Sequence, residues 1–300
     1  MIYYAAALLS PVLLSISSII GSYFTNNLFK KPANVVFFTN ITTLIFTLPL
    51  IYIIGKPSVP EKPVIFAMSI IALTTIFHLI LWYSVLKKAD TSISVAMTAL
   101  GRITLPIFAW IIVGEKLQPI QYIGFGIILL PSIFLNLDIK KMTINVAFWL
   151  MLLVSVIISL QTILRKFSVI NTDFITSFFW TILLTNLICL TMLFLPSARR
   201  DIADDFPVFK KKIPLFILND WFLTFGGLAS LFALSQLPAL IVSSVGSTRA
   251  IFTLFFGFIL LKIFKDKSKE DFSRGSVIKK LLSFAFIILG IYLVLGGWKL

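Results

Sequence analysis

Apolar residues run along this chain in blocks of about twenty, parted by short polar segments, and the blocks follow one another almost without pause. A block of that length crosses a hydrocarbon layer of about 30 Å as a helix. The pattern predicts ten spans in all. The first five run from Ala5 to Leu28, Ala33 to Ile54, Val64 to Leu86, Thr91 to Val113 and Ile120 to Leu137. The second five run from Val146 to Phe167, Phe174 to Leu195, Pro214 to Leu237, Leu240 to Leu261 and Val277 to Gly297. Only helices and closed barrels satisfy their backbone polar groups in lipid, and barrel strands would alternate polar with apolar residues, which these blocks do not. The expected fold is all-α, a polytopic membrane protein. The connecting segments "GKPSVPEKP", "ARRDIADDFPVFKKK" and "KIFKDKSKEDFSRG" carry proline, glycine and charge, are expected to be loops, and are too short for a soluble domain. The opening "MIYYAAALLS" has no basic stretch and no small-residue cleavage site, so it reads as a retained helix.

Composition agrees with this pattern: 59% of residues are hydrophobic, 30 are phenylalanine, and the mean hydropathy is +1.03. The net charge of +14 suggests nucleic acid at first sight. The lysines and arginines, however, gather between the apolar blocks, where topology and anionic headgroups account for them, and no nucleic-acid partner is expected. The odd-numbered loops hold 18 of the 26 basic residues, the opposite side five, and the spans three: Arg102, Arg165 and Arg249. The positive-inside rule places the odd loops in the cytoplasm and both termini outside. The expected location is the cytoplasmic (inner) membrane of a bacterium. Cys189 is the single cysteine, so the chain holds no internal disulfide or thiolate metal site.

The chain also repeats itself. Sliding it by 147 residues lays "ADTSISVAMTALGRITLPIF" over "QLPALIVSSVGSTRAIFTLF" and brings Arg102 onto Arg249. A slide of 141 residues aligns Phe37 and Phe38 with Phe178 and Phe179. Two halves of five spans each, residues 1–141 and 142–300, would enter the membrane from opposite sides because five is odd. The expectation is ten transmembrane helices as two inverted repeats, the architecture of many secondary carriers.

The stretch "YSVLKKADTSISVAMTALGRITLPIFAWIIVGEKLQPIQYIGFGIIL" resembles the signature of the drug/metabolite transporter superfamily, EamA type. Leu86 and Lys87 match the end of its third helix, Pro106, Ile107 and Phe108 its "P-V-F", and Gly114, Glu115 and Leu117 its "L-G-E-x-L" turn, before the glycine-rich helix at Gly124 and Gly126. The second half departs from the pattern, with Lys262 at the place of Glu115 and no proline matching Pro106. The resemblance implies a carrier of small solutes with a cavity lined by the first, third, fourth, sixth, eighth and ninth spans. It also implies both termini in the cytoplasm, against the charge count.

Read for themselves, four spans carry polar stripes at helical spacing. They are Ser15, Ser18, Ser22 and Thr25; Thr91, Ser94, Thr98 and Arg102; Ser155, Ser159, Thr162 and Lys166; and Gly246, Arg249, Thr253 and Gly257. Such stripes serve helix contacts as readily as a cavity. Charges discriminate better, because an arginine at the bilayer centre costs about 2.5 to 3.5 kcal/mol even on the lenient scale. Arg102 and Arg249 lie half-way along their spans, and either they face a water-filled cavity or backbone carbonyls hold them. Arg165, one turn beyond Gln161, either joins them or snorkels. His78, mid-span with Trp82 one turn on, is a packing residue or a ligand. Asp220 is the one carboxylate clearly inside a span and the candidate for coupling, by pairing with an arginine or relaying protons.

Three arginines against one carboxylate make the cavity electropositive, which favours a solute bearing carboxylate or phosphate. The expected function is secondary transport of a small anionic or zwitterionic metabolite, an amino acid, nucleotide-like or phosphorylated solute. Arg102, Arg249, His78, Thr98, Ser22, Gln161, Arg165 and Trp82 are its candidate contacts. Trp110, Trp180 and Trp221 are further aromatics for stacking or for anchoring at the interface. Neither Asp220 nor His78 has an acidic relay partner in the sequence, so exchange or facilitated movement is expected. The alternatives are a membrane enzyme acting on a diphosphate or lipid, with Asp201, Asp204 and Asp205 holding Mg2+, and a non-transporting scaffold. No paired carboxylates, histidine cluster or nucleophile motif supports the enzyme, and no cofactor or resident metal is expected. The partners expected are a solute and membrane lipid, with a homodimer left open.

Overall fold

The computed structural model describes residues 1–87, 91, 94–95, 98, 104–116, 118–138, 143–144, 146–264 and 274–296. The described residues fold as helices, joined at one point by a two-rung antiparallel ladder that pairs Leu137 with Ile144 and Asp138 with Thr143. In chain order the helices are α1 (Ile2–Leu28), α2 (Pro32–Gly55), α3 (Lys62–Leu86), α4 (Leu105–Val113) and α5 (Pro119–Asn136). They continue as α6 (Val146–Asn171), α7 (Phe174–Leu190), α8 (Pro196–Gln236), α9 (Ala239–Gly246), α10 (Arg249–Phe264) and α11 (Arg274–Val294). Seven of the described helical stretches are long and apolar enough to cross a membrane, α9 and α10 together making one of them. Residues 119–131 and 280–294 form shorter apolar helices. Nine of the 23 residues of the fourth predicted span, Arg102 among them, lie outside the described residues, as do Leu117 and the "KDKSKED" part of the ninth linker.

The burial pattern inverts that of a soluble protein. Ser15, Ser17, Thr42, Ser155 and Asn219 are buried, while Ile54, Phe66 and Leu73 stand 80%, 70% and 62% exposed. This is the arrangement expected when the outside is lipid and small polar residues let helices approach one another. Many of the buried hydroxyls bond back to a carbonyl four residues earlier, as Thr42 does to Phe38 (2.8 Å) and Thr185 to Thr181 (2.7 Å). That satisfies the hydroxyl without a partner from another helix.

One segment differs from the reading of the sequence. "ARRDIADDFPVFKKK" is not a loop but the first half of α8, whose 41 residues run about 60 Å, twice the hydrocarbon thickness. Ile202, Phe209 and Phe216 recur every seven residues and are all buried. Phe209 stacks on Phe38 with centroids 4.6 Å apart, and Phe216 on Phe24 at 4.1 Å. This apolar seam carries the helix through Pro207 and Pro214, which would break an unsupported one.

The helices pack in pairs. α1 lies on α8 and on α10, α3 on α6 and on α7, α2 on α8, α4 on α6, and α5 on α11. One apolar cluster holds Phe24, Phe29, Phe38, Phe209 and Phe216, where α1 ends and α2 begins. A second holds Ala7, Leu105, Leu231, Leu234 and Val242, near the end of α8 and the start of α9.

Where α5 meets α11 the backbones touch. A Cβ on Gly124 would lie 2.7 Å from the Gly290 carbonyl oxygen, and one on Gly290 2.5 Å from that of Gly124. Gly124→Val therefore forces the two helices apart, at a cost of about 1 to 3 kcal/mol. The expected readout is a lower thermal unfolding midpoint in detergent, while Gly126→Val, where a Cβ meets nothing within 4 Å, stays close to the parent.

Candidate functional site

Between the helices lie two adjoining chambers of about 310 and 230 Å3. Both are lined by Leu14, His78, Ile158, Arg165, Ser230 and Arg249, so these six form the wall they share. Arg249 opens α10 and is half-buried. Its Nη2 and Nε donate to Ser18 Oγ at 2.6 and 3.2 Å, and its guanidinium carbon sits 5.9 Å from the ring centre of Trp82. Its backbone carbonyl is tied down by Ser15 Oγ at 3.0 Å and Thr253 Oγ1 at 2.7 Å. Two members of the α1 stripe, Ser15 and Ser18, thus seat this arginine. Arg165 faces both chambers, and its Nε is buried with no hydrogen-bond partner among the described residues.

His78 accepts a hydrogen bond at Nδ1 from the Gln161 amide (3.1 Å), which also donates to Thr74 Oγ1 (2.9 Å). With Nδ1 accepting, the imidazole is neutral and its proton lies on Nε2. Asp220, in α8, is 1% exposed and forms part of the larger chamber's wall. Thr43 donates to its Oδ1 at 2.5 Å and Thr47 to its Oδ2. Among the described residues the ion pairs are Lys31–Asp201 and Lys166–Glu115, so neither chamber arginine meets an acid.

The turn after α4 is built with equal economy. Gly114 ends the helix at φ +70°, a left-handed conformation that favours glycine. The next residue, Glu115, then reaches across the bundle to accept the backbone N–H of Ala239, the first residue of α9, at 2.9 Å. Lys166, 3.8 Å from Glu115, donates to the Leu234 and Leu237 carbonyls at the end of α8, at 2.6 and 3.0 Å. An anion sits at one helix start and a cation at the preceding helix end, where the helix dipoles favour them. Residues 1–137, which include this turn, match the EamA-like transporter family.

That family is matched over residues 1–137, a little under half of the chain. It is part of the drug/metabolite transporter superfamily. No curated protein matches the chain. One solved structure, described only as the crystal structure of a protein, matches 97% of this chain and 98% of its own length. Its TM-score is 0.60 at 13% identity, a likeness of fold alone. The protein is accordingly a membrane-embedded helical protein whose first half is an EamA-like unit.

Of the residues read from the sequence, His78, Trp82, Thr98, Arg165, Arg249 and Asp220 all line the larger chamber, and Gln161 lines the smaller. Ser22 lines neither: its hydroxyl accepts from Thr91 (3.0 Å) and Asn26 (3.1 Å) in a helix contact. Arg102 lies outside the described residues. Asp220 pairs with threonines and not with an arginine. Trp110 and Trp221 are exposed, and Trp180 donates its indole N–H to the Ser58 carbonyl (2.7 Å). Asp201 is held by Lys31 and Asp205 by Asn34, and the described residues contain no group of three metal ligands. The residues that sequence reasoning passed over are Thr39, Thr43 and Thr47, together with Thr181 and Thr185, all but Thr47 on the chamber wall. Their spacing of four was the available signal.

Burial pushes the Glu115 carboxyl above the ordinary carboxylate range, against the pull of the Ala239 N–H and Lys166. A carboxyl so shifted takes up a proton on folding, so the stability linked to its titration is largest below the unfolded pKa and falls as pH rises through the folded one. Glu115→Ala removes that dependence and leaves the Ala239 N–H without its acceptor, at a cost of about 1 to 3 kcal/mol. Thermal unfolding followed across pH in detergent reads both effects, and an unchanged midpoint would deny the tie a structural role.

Proposed function

We propose that the protein is a secondary carrier that moves a small anionic or zwitterionic metabolite across the cytoplasmic membrane of a bacterium by alternating access. The observation that carries this reading is the pair of guanidiniums, Arg165 and Arg249, on the shared wall of two chambers, with no acid within ion-pair distance of either among the described residues. A guanidinium binds carboxylate or phosphate through two parallel hydrogen bonds and keeps its charge throughout a transport cycle. The chambers' volumes suit a small metabolite. Thr98, His78, Gln161 and Trp82 would complete the contacts, and Arg102 would face Arg249 from the other half.

The two halves, residues 1–141 and 142–300, are read as inverted five-helix repeats making ten spans. The packing supports this. Exchanging α1, α2, α3, α4 and α5 for α6, α7, α8, the α9–α10 pair and α11 turns the α1–α8 contact into α6–α3, α1–α10 into α6–α4, and α3–α7 into α8–α2. The α5–α11 contact maps onto itself. Carriers built this way rock one half against the other around a site at mid-membrane. The 18 basic residues of the odd-numbered loops favour a cytoplasmic position for that face. The partners of this reading are the solute and membrane lipid, not nucleic acid.

Uptake into liposomes from a panel of labelled amino acids, nucleotides and sugar phosphates tests the reading. At least one anionic or zwitterionic solute should enter unchanged, whereas chemical conversion would point to an enzyme. Arg249→Gln and Arg165→Gln, at matched insertion, should each weaken its affinity by about 1.5 to 3 kcal/mol, roughly tenfold to a hundredfold. Near-normal affinity in both variants would remove the arginines from the site.

A further inference from the structure

The sequence offers Asp220 no acidic relay partner, but the fold gives it a relay of hydroxyls. Thr43 and Thr47 belong to a π-helical turn, Thr43–Thr47, within α2, a distortion found often at functional sites. Thr43 Oγ1 is 2.5 Å from Asp220 Oδ1 and 3.1 Å from the Thr39 carbonyl oxygen. A hydroxyl has one hydrogen to donate and lone pairs with which to accept. When Asp220 is ionised, Thr43 gives its hydrogen to Oδ1. When Asp220 is protonated, Oδ1–H donates to Thr43 Oγ1, and the threonine turns its hydrogen to the Thr39 carbonyl. Both states are satisfied with every heavy atom in place.

The charge surroundings fit such a site. No lysine, arginine or histidine lies within ion-pair distance of Asp220 among the described residues. Of the elements packed against α8, α1 gives the chamber Leu14 and sets Ser17 on the neighbouring Asn219, α2 presents Thr39, Asn40 and Thr43, and α7 and α9 place no charged side chain on the chamber wall. From α6, Arg165 faces the chamber and Lys166 turns away to the Leu234 and Leu237 carbonyls. Arg249 of α10 and His78 and Tyr83 of α3 complete the titratable and charged groups of the chamber. A carboxylate enclosed without a counter-ion is expensive, and a proton removes the charge.

We propose that Asp220 is a proton-binding site: it takes a proton from water in the larger chamber onto Oδ1, with Thr43 switching between donor and acceptor. Protonation makes the chamber more positive by one charge, facing Arg165 and Arg249. An anion and a proton then raise each other's occupancy, since coupling between two sites is reciprocal. This last clause rests on the anionic reading above, whereas the proton site does not.

Infrared difference spectra of the purified protein in lipid nanodiscs, taken as pH is lowered, test the site. In a Glu115→Gln background, which removes the acid of the turn after α4 whose carboxyl burial raises, the high-frequency protonated-carboxyl band of a buried acid should appear on acidification, vanish in Asp220→Asn and persist in Asp201→Asn. Thr43→Val keeps the acid and removes the acceptor of Oδ1–H, so its band should shift, and this variant decides the matter if Asp220→Asn fails to fold. A band that survives in Asp220→Asn, or one unmoved in Thr43→Val, would overturn the proposal. Sulfate, which stays doubly charged over this range, should move the titration of the band to higher pH. A titrating band indifferent to sulfate would overturn the coupling and leave the proton site standing.

Discussion

A guanidinium enclosed in a helical bundle cannot lose its charge, so the protein must supply either an acid, a set of carbonyls or water. Around Arg165 and Arg249 the described residues supply none of the acids, and much of the architecture reads as a response to that constraint. Ser18 and Trp82 hold the Arg249 head on one side, while Ser15 and Thr253 fix its backbone. The other side of the head faces a chamber shared with Arg165 and His78. Ser15 and Ser18 of α1, which sequence alone could assign to mere close packing, are the scaffold that holds this positive charge in the bundle.

Two structural ties confine this polar interior. Where α1 hands over to α2, aromatic stacks join Phe24 to Phe216 and Phe38 to Phe209, and Lys31 reaches Asp201. Where α8 hands over to α9, Glu115 and Lys166 satisfy the exposed ends of both helices. The second tie gives a physical reason for Glu115 in the turn after α4: it is an anion placed at the start of a helix more than a hundred residues further along the chain.

Hydropathy alone revealed the long spans, because a block of twenty apolar residues has one outlet in lipid. It missed the helical first half of α8, since Pro207, Pro214 and a run of charges argue for a loop until Phe209 and Phe216 are seen stacked in the bundle. The sequence placed Asp220 inside a span, yet its threonine partners lie more than 170 residues away in α2 and no local pattern joins them. Arg165 stands near a helix end, which suggests snorkelling, but the side chain lies along the chamber wall. Glu115 was visible as part of a turn motif, whereas its link to Ala239 exists only in three dimensions.

The central claim is that Arg165 and Arg249 present free donors to an anion within the bundle. Crystals soaked in bromide and measured at its absorption edge address this directly. The account predicts an anomalous difference peak in the chamber between the two guanidiniums, lost in Arg249→Gln. No peak there, with both guanidiniums bonded instead to backbone carbonyls, would contradict it.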